Sequence, residues 1–193
     1  MDVTRQIFAA LEAGNVAQVE DMLRLDPALA AARNERGDSL LLAAAYAGRG
    51  ALCGTILAAG VSADLFEAAA IGLGDAVREA VDRDPALVNA YSHDGWTPLH
   101  LASFFGHRDI AAFLLERGAA VDARSQSERF ARATTPLHAA AANRRVEVAQ
   151  LLVQRGADVN ARDGHGFTPL ALAANSRSDL LMLLLLEKGA RAD

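Results

Sequence analysis

A four-residue motif recurs along this chain and restricts its folding more than any other feature. Thr97-Pro98-Leu99-His100, Thr135-Pro136-Leu137-His138 and Thr168-Pro169-Leu170-Ala171 stand 38 and then 33 residues apart. Each is followed by an apolar helical pattern that ends on glycine, at 114–119, 152–157 and 185–190. A threonine hydroxyl caps an orphan backbone N–H at a helix start, and proline is tolerated at the first helical position because no N–H is needed there. Gly118, Gly156 and Gly189 can take the left-handed conformation that ends a helix. Ile110, Phe113 and Leu114 fall at i, i+3, i+4, as do Val148, Leu151 and Leu152, which gives each second helix an apolar stripe. One such helix pair has no core of its own. Copies must stack, each burying its neighbour's face, and a quasi-linear array is the architecture that follows.

The amino-terminal half keeps the period less strictly. Displacing the chain by 58 residues lays Asp26-Pro27-Ala28-Leu29 on Asp84-Pro85-Ala86-Leu87, Gly37 on Gly95, Leu41 on Leu99, Gly48 on Gly106 and Gly60 on Gly118. That displacement equals one full repeat plus a shortened one of about 25 residues. The reading is one domain over 1–193, with six repeats starting near residues 4, 39, 64, 97, 135 and 168. Gly60-Val61-Ser62-Ala63 runs almost directly into Asp64, leaving no room for a finger there, and the fourth repeat carries extra residues within 124–134. Some positions depart from the motif. Ser39 and Asp64 stand for the capping threonine, Leu40 and Leu65 for the proline, and Ala171 for the histidine. Arg144 and Arg177 occupy turn positions held elsewhere by Gly48 and Gly106.

The Thr-Pro-Leu-His motif and its 33-residue period resemble the ankyrin repeat. The resemblance implies an all-α solenoid of helix-turn-helix repeats with short β-hairpin fingers, acting as a non-enzymatic scaffold for protein–protein interaction. It also implies that His100 and His138 brace backbone between neighbouring loops. Finger tips and the outer side of the first helices are then expected to line a concave groove.

Composition agrees with a binding role. The net charge of −5 argues against non-specific nucleic-acid binding, for which Arg124, Arg129 and Arg132 form the only basic group. Cys53 is the sole cysteine, so no internal disulfide can form and a reducing, cytoplasmic setting is expected. The first residues lack the basic and apolar regions of a signal peptide. The longest apolar run, 180–186, is far shorter than the roughly 20 residues of a membrane span. Lys188 is the only lysine among 19 basic residues, a bias that suggests a GC-rich bacterial source. The five histidines form no zinc-spaced cluster with cysteine, and there is no H-E-x-x-H, Gly-x-Ser-x-Gly or phosphate-binding glycine loop. No catalytic residue, metal or cofactor is therefore expected.

Candidate contact residues come from the finger leading into the fourth repeat and from its first helix: Tyr91, His93, Asp94, Trp96, Phe104 and Phe105. Tyr46 joins them from the second repeat, Arg129, Phe130 and Arg132 from the inserted finger, Asn143 from the fifth repeat, and Arg162, His165 and Phe167 from the sixth. Aromatics with arginine dominate protein–protein hot spots, and core packing accounts poorly for Tyr91 and Trp96 so placed. Two readings stand: a groove for another protein, centred on Trp96, Phe104 and Phe105, or a groove for a small molecule, carbohydrate or nucleotide. The partner is expected to be a protein, with no nucleic acid and no membrane. Leu180 and Leu183 add apolar surface where the fifth repeat has Glu147 and Gln150, so the chain is read as a monomer or as an end-to-end homodimer through the C-terminal repeat.

Overall fold

The computed structural model describes residues 2–127 and 132–191. The described residues are helical, with twelve α-helices and no named strand. In order they are α1 Val3–Glu12, α2 Val16–Leu25, α3 Leu40–Tyr46, α4 Gly50–Ala58, α5 Leu65–Ile71, α6 Gly74–Arg83, α7 Pro98–Phe105, α8 Arg108–Glu116, α9 Pro136–Ala142, α10 Val146–Gln154, α11 Pro169–Asn175 and α12 Asp179–Glu187. Two short 3₁₀ turns, Pro27–Ala31 and Pro85–Asn89, sit at the segments that the 58-residue displacement superimposes. Asp26 and Asp84 cap them identically, accepting from the N–H groups of Ala28 and Ala86. The chain divides into two compact units, Met1–Glu67 and Ala68–Asp193.

In the first unit α1 packs on α2 and α3 on α4, around Ile7, Leu11, Val19, Leu40, Leu52 and Ile56, all buried. The departures from the capping motif are repaired by other chemistry. The Ser39 hydroxyl accepts from the Leu42 N–H at 3.0 Å. Asp64 accepts from the Glu67 N–H at 2.8 Å while the Glu67 carboxylate accepts from the Asp64 N–H at 2.9 Å, a reciprocal capping box in place of threonine and histidine.

In the second unit the first helices α7, α9 and α11 lie side by side, and α8, α10 and α12 form a second layer against them. Ala139, Ala140 and Ala141 are buried, and their small side chains let α9 fit between its two neighbours. Neighbouring loops are pinned by a repeated asparagine clamp. Asn89 donates to the Gly118 carbonyl and accepts from the Ala120 N–H, and Asn160 does the same with Gly189 and Arg191. Arg144 and Arg177 hold φ of 59° and 54°, the left-handed conformation that Gly106 adopts in the equivalent turn. The fingers are tighter than hairpins of strands. They are closed by pairs of backbone bonds: Ser92 N–H to Trp96 O at 2.8 Å with Gly95 N–H to Ser92 O at 3.0 Å, Ser125 N–H to Thr134 O at 2.9 Å with Ala133 N–H to Ser125 O at 3.0 Å, and Asp163 N–H to Phe167 O at 3.0 Å with Gly166 N–H to Asp163 O at 3.0 Å. One antiparallel bridge, Arg33 to Ser39, is present among the described residues.

Candidate interaction face

The two motif histidines are buried and tie loops together. Thr97 and Thr135 cap α7 and α9, and the Nδ1 atom of the histidine three residues on accepts the threonine N–H in return, at 3.3 Å for His100 and 3.2 Å for His138. The far nitrogen reaches across a repeat: His100 Nε2 donates to the Thr134 carbonyl at 2.8 Å, and His138 Nε2 to the Phe167 carbonyl at 3.0 Å. A carbonyl can only accept, so this network assigns the neutral Nε2–H tautomer to both rings. Burial pushes the His100 imidazole down from 6.5 to about 4, against the opposing pull of the Thr134 carbonyl. Burial also lowers His138, which its bond to Phe167 counteracts. The work of both rings is to hold one finger against the next.

The fingers of the second unit are joined backbone to backbone. Gln126 N–H donates to the Gly95 carbonyl at 2.8 Å, and Gly164 N–H to the Arg132 carbonyl at 2.6 Å. Glycine is required at Gly95 twice over. Its φ is +81°, and a Cβ there would lie 2.5 Å from the Gln126 carbonyl carbon and from the Ser127 nitrogen. Arg124 ties the row lengthwise: its carbonyl accepts from the Tyr91 hydroxyl at 3.0 Å, and its guanidinium donates to the carbonyls of Ala133 at 3.0 Å and Arg162 at 2.5 Å. In the sequence Arg124 stands out only as part of a basic group with Arg129 and Arg132. Its position as the first residue of the enlarged finger, one helix pair from Tyr91 and Arg162, was the available signal.

Trp96 does not stand where the sequence reading put it. It was expected at the centre of the contact surface, but it is only 1% exposed. The finger that follows stacks over Gly95, and the indole turns inward, with ring centroids 5.6 Å from His100 and 5.3 Å from Phe104 in an edge contact. Phe104 meets Phe105 at 4.9 Å, and Phe105 lies over His107 at 6.4 Å, so a line of rings runs along α7. Phe104 and Phe105 are half-buried in that line.

Other candidates are exposed. Tyr91 is 39% exposed and Phe167 44%. Phe167 occupies the position in its finger that Trp96 has in the earlier one, immediately before the capping threonine, but no described finger covers it. His93, Arg132, Arg162 and His165 are exposed on the same row, with Arg162 donating to the Gly166 carbonyl at 2.9 Å. Asp94 is half-buried and accepts from the Ser92 hydroxyl at 2.5 Å. The Asn143 amide donates to the Ala139 carbonyl at 2.9 Å, so it finishes α9. Tyr46 ends α3 in the first unit and is half-buried. Arg129 and Phe130 lie outside the described residues.

Two cavities lie away from the finger row. One of about 490 Å³ belongs to the first unit, lined by Arg5, Phe8, Glu12, Arg33, Asn34 and others, and one of about 300 Å³ sits at the turn around Arg144 and Arg145. Among the described residues no three of His, Cys, Asp and Glu converge as metal ligands, and no helix is long and apolar enough to cross a membrane. Cys53 is buried and its thiol is pushed upward by burial, which disfavours the thiolate.

Paired helices in two layers, joined by stacked fingers, define a helical-repeat protein of the kind built to present a surface. The family follows from comparison. Residues 94–126 match the family model described as Ankyrin repeat, and residues 120–193 the model described as Ankyrin repeats (3 copies). Together these matches span just over half of the 193-residue chain, which belongs to the ankyrin-repeat family. The chain is similar to human Ankyrin repeat and SAM domain-containing protein 3, 44% identical over 62 residues that make 32% of this chain and 10% of the relative. It is 47% identical over 51 residues to Serine/threonine-protein kinase VIK of Arabidopsis thaliana, covering 26% of this chain and 12% of that one. Alpha-latrocrustotoxin-Lt1a of Latrodectus tredecimguttatus matches at 38% over 60 residues, 31% of this chain and 4% of the toxin. The match thus spans about a tenth or less of these relatives, and their names differ widely. What is shared is the repeat.

Proposed function

We propose that this chain is a non-enzymatic binding module that holds another protein on the finger row of its second unit. Ankyrin repeats are in general protein–protein interaction modules, which supports the class of function. The observation that carries the choice of surface is the pair of exposed aromatics, Tyr91 and Phe167, on fingers locked by Arg124 and by the two histidine bridges. A rigid aromatic loses little conformational freedom on binding, so it converts buried area into affinity with small entropic loss. His93, Arg132, Arg162 and His165 supply the polar contacts around these anchors. In the same reading the six helix pairs serve one domain, in a reducing cytoplasmic compartment where the buried Cys53 stays a thiol.

A photo-activated cross-linking residue placed at 91 or at 167, and at Gln154 on α10 as a control, tests the surface. The finger positions should capture the same partner in cells of the source organism while the control captures none. Capture at Gln154 alone would overturn the proposal.

A further inference from the structure

The last helix carries a second surface, independent of the fingers. In α12, Leu181 and Leu185 are fully buried and form the seam against the rest of the unit. Leu180, Leu183 and Leu186 are 67%, 58% and 46% exposed. At about 100° per residue, these three span a stripe about 120° wide centred on Leu183, directly opposite the seam. The stripe is not needed for stacking. At the equivalent places α10 has Glu147, Gln150 and Val153, the first two exposed to water. Three leucines at such positions form an apolar patch on the outer side of α12.

Charge selects the occupant. Asp179 and Glu187 lie about 40° to either side of Leu183, one at each end of the stripe, and both are exposed. Lys188 falls about 140° away, toward the seam. A second copy packed antiparallel about a two-fold axis through Leu183 would set Asp179 of one copy against Glu187 of the other. Like charges so placed oppose association. A helix whose apolar stripe is flanked by arginine or lysine meets both carboxylates and all three leucines at once. We infer that the outer face of α12 is a docking site for an amphipathic helix of a partner protein, with basic residues flanking its apolar stripe.

Two fluorescent helical peptides probe it, one with leucines on one face flanked by arginine, the other identical with glutamate in place of arginine. Fluorescence anisotropy with the full chain should show the arginine peptide binding, and Leu183→Glu should weaken it by about tenfold or more. The double substitution Asp179→Lys with Glu187→Lys should reverse the preference between the two peptides. Neither change touches Leu181 or Leu185, and circular dichroism confirms the fold of each variant. Four results would overturn the inference: no binding of the arginine peptide at about 100 μM, equal affinity for both peptides, undiminished binding by Leu183→Glu, or a concentration-dependent dimer in sedimentation that Leu183→Glu dissolves. Because the readout lies on α12, its failure leaves the finger reading untouched.

Discussion

His100 should make this protein acid-sensitive in a defined window. In the unfolded chain its imidazole takes a proton near pH 6.5, whereas the buried ring takes one only at about 4. Between those values the unfolded state binds more protons, so stability falls as pH falls, and it is fully present above pH 6.5. The distance from 6.5 to about 4 corresponds to about 3 kcal/mol at 1.36 kcal/mol per pH unit. His138, also lowered by burial, contributes with the same sign. Carboxylates titrate in the lower part of this range as well, so the measurement is a difference. Urea unfolding of the wild type and of His100→Gln should be compared at several values from pH 7.5 down to pH 4. At neutral pH the variant should be less stable by about 1–3 kcal/mol, because the Thr97 N–H and the Thr134 carbonyl lose a buried partner. That gap should close as pH falls through the window. A gap constant with pH would refute the assignment of a neutral, bridging His100.

Trp96→Ala should destabilise the fold by about 3–5 kcal/mol in chemical unfolding, as expected for a buried aromatic, while Phe167→Ala should cost well under 1 kcal/mol. Arg177→Gly should stabilise by about 1 kcal/mol and raise the melting temperature, because glycine relieves a left-handed φ of 54°. Gly95→Ala should destabilise strongly, by about 2 kcal/mol or more, since its φ is +81° and the next finger's backbone leaves no space for a Cβ.

Most of the architecture was legible because it is written in local chemistry. Thr97, Thr135 and Thr168 start helices, Gly118, Gly156 and Gly189 follow their partners' ends, and the two motif histidines bridge neighbours as the resemblance implied. The Asp64–Glu67 capping box explains how the motif survives without threonine or histidine, and the spacing of those two acids was a readable sign of it. The candidate site was legible only in part. Which finger residues lie in that row followed from the period, but not which of them face water. Trp96 and Phe167 hold equivalent positions, yet Trp96 is buried beside the finger that packs over Gly95 while Phe167 is 44% exposed. That is a tertiary fact, invisible to local pattern. The role of Arg124 was missed for the same reason, because its hydrogen-bond partners lie 9 and 38 residues away.

The central claim is that the fingers of the second unit hold the partner. Equilibrium binding of the cross-linked partner, purified, to wild type, Tyr91→Ala and Phe167→Ala tests it most directly. A loss of about 2 kcal/mol, roughly thirtyfold in Kd, is predicted for at least one of the two substitutions, with the fold retained. Unchanged affinity for both folded variants would contradict it.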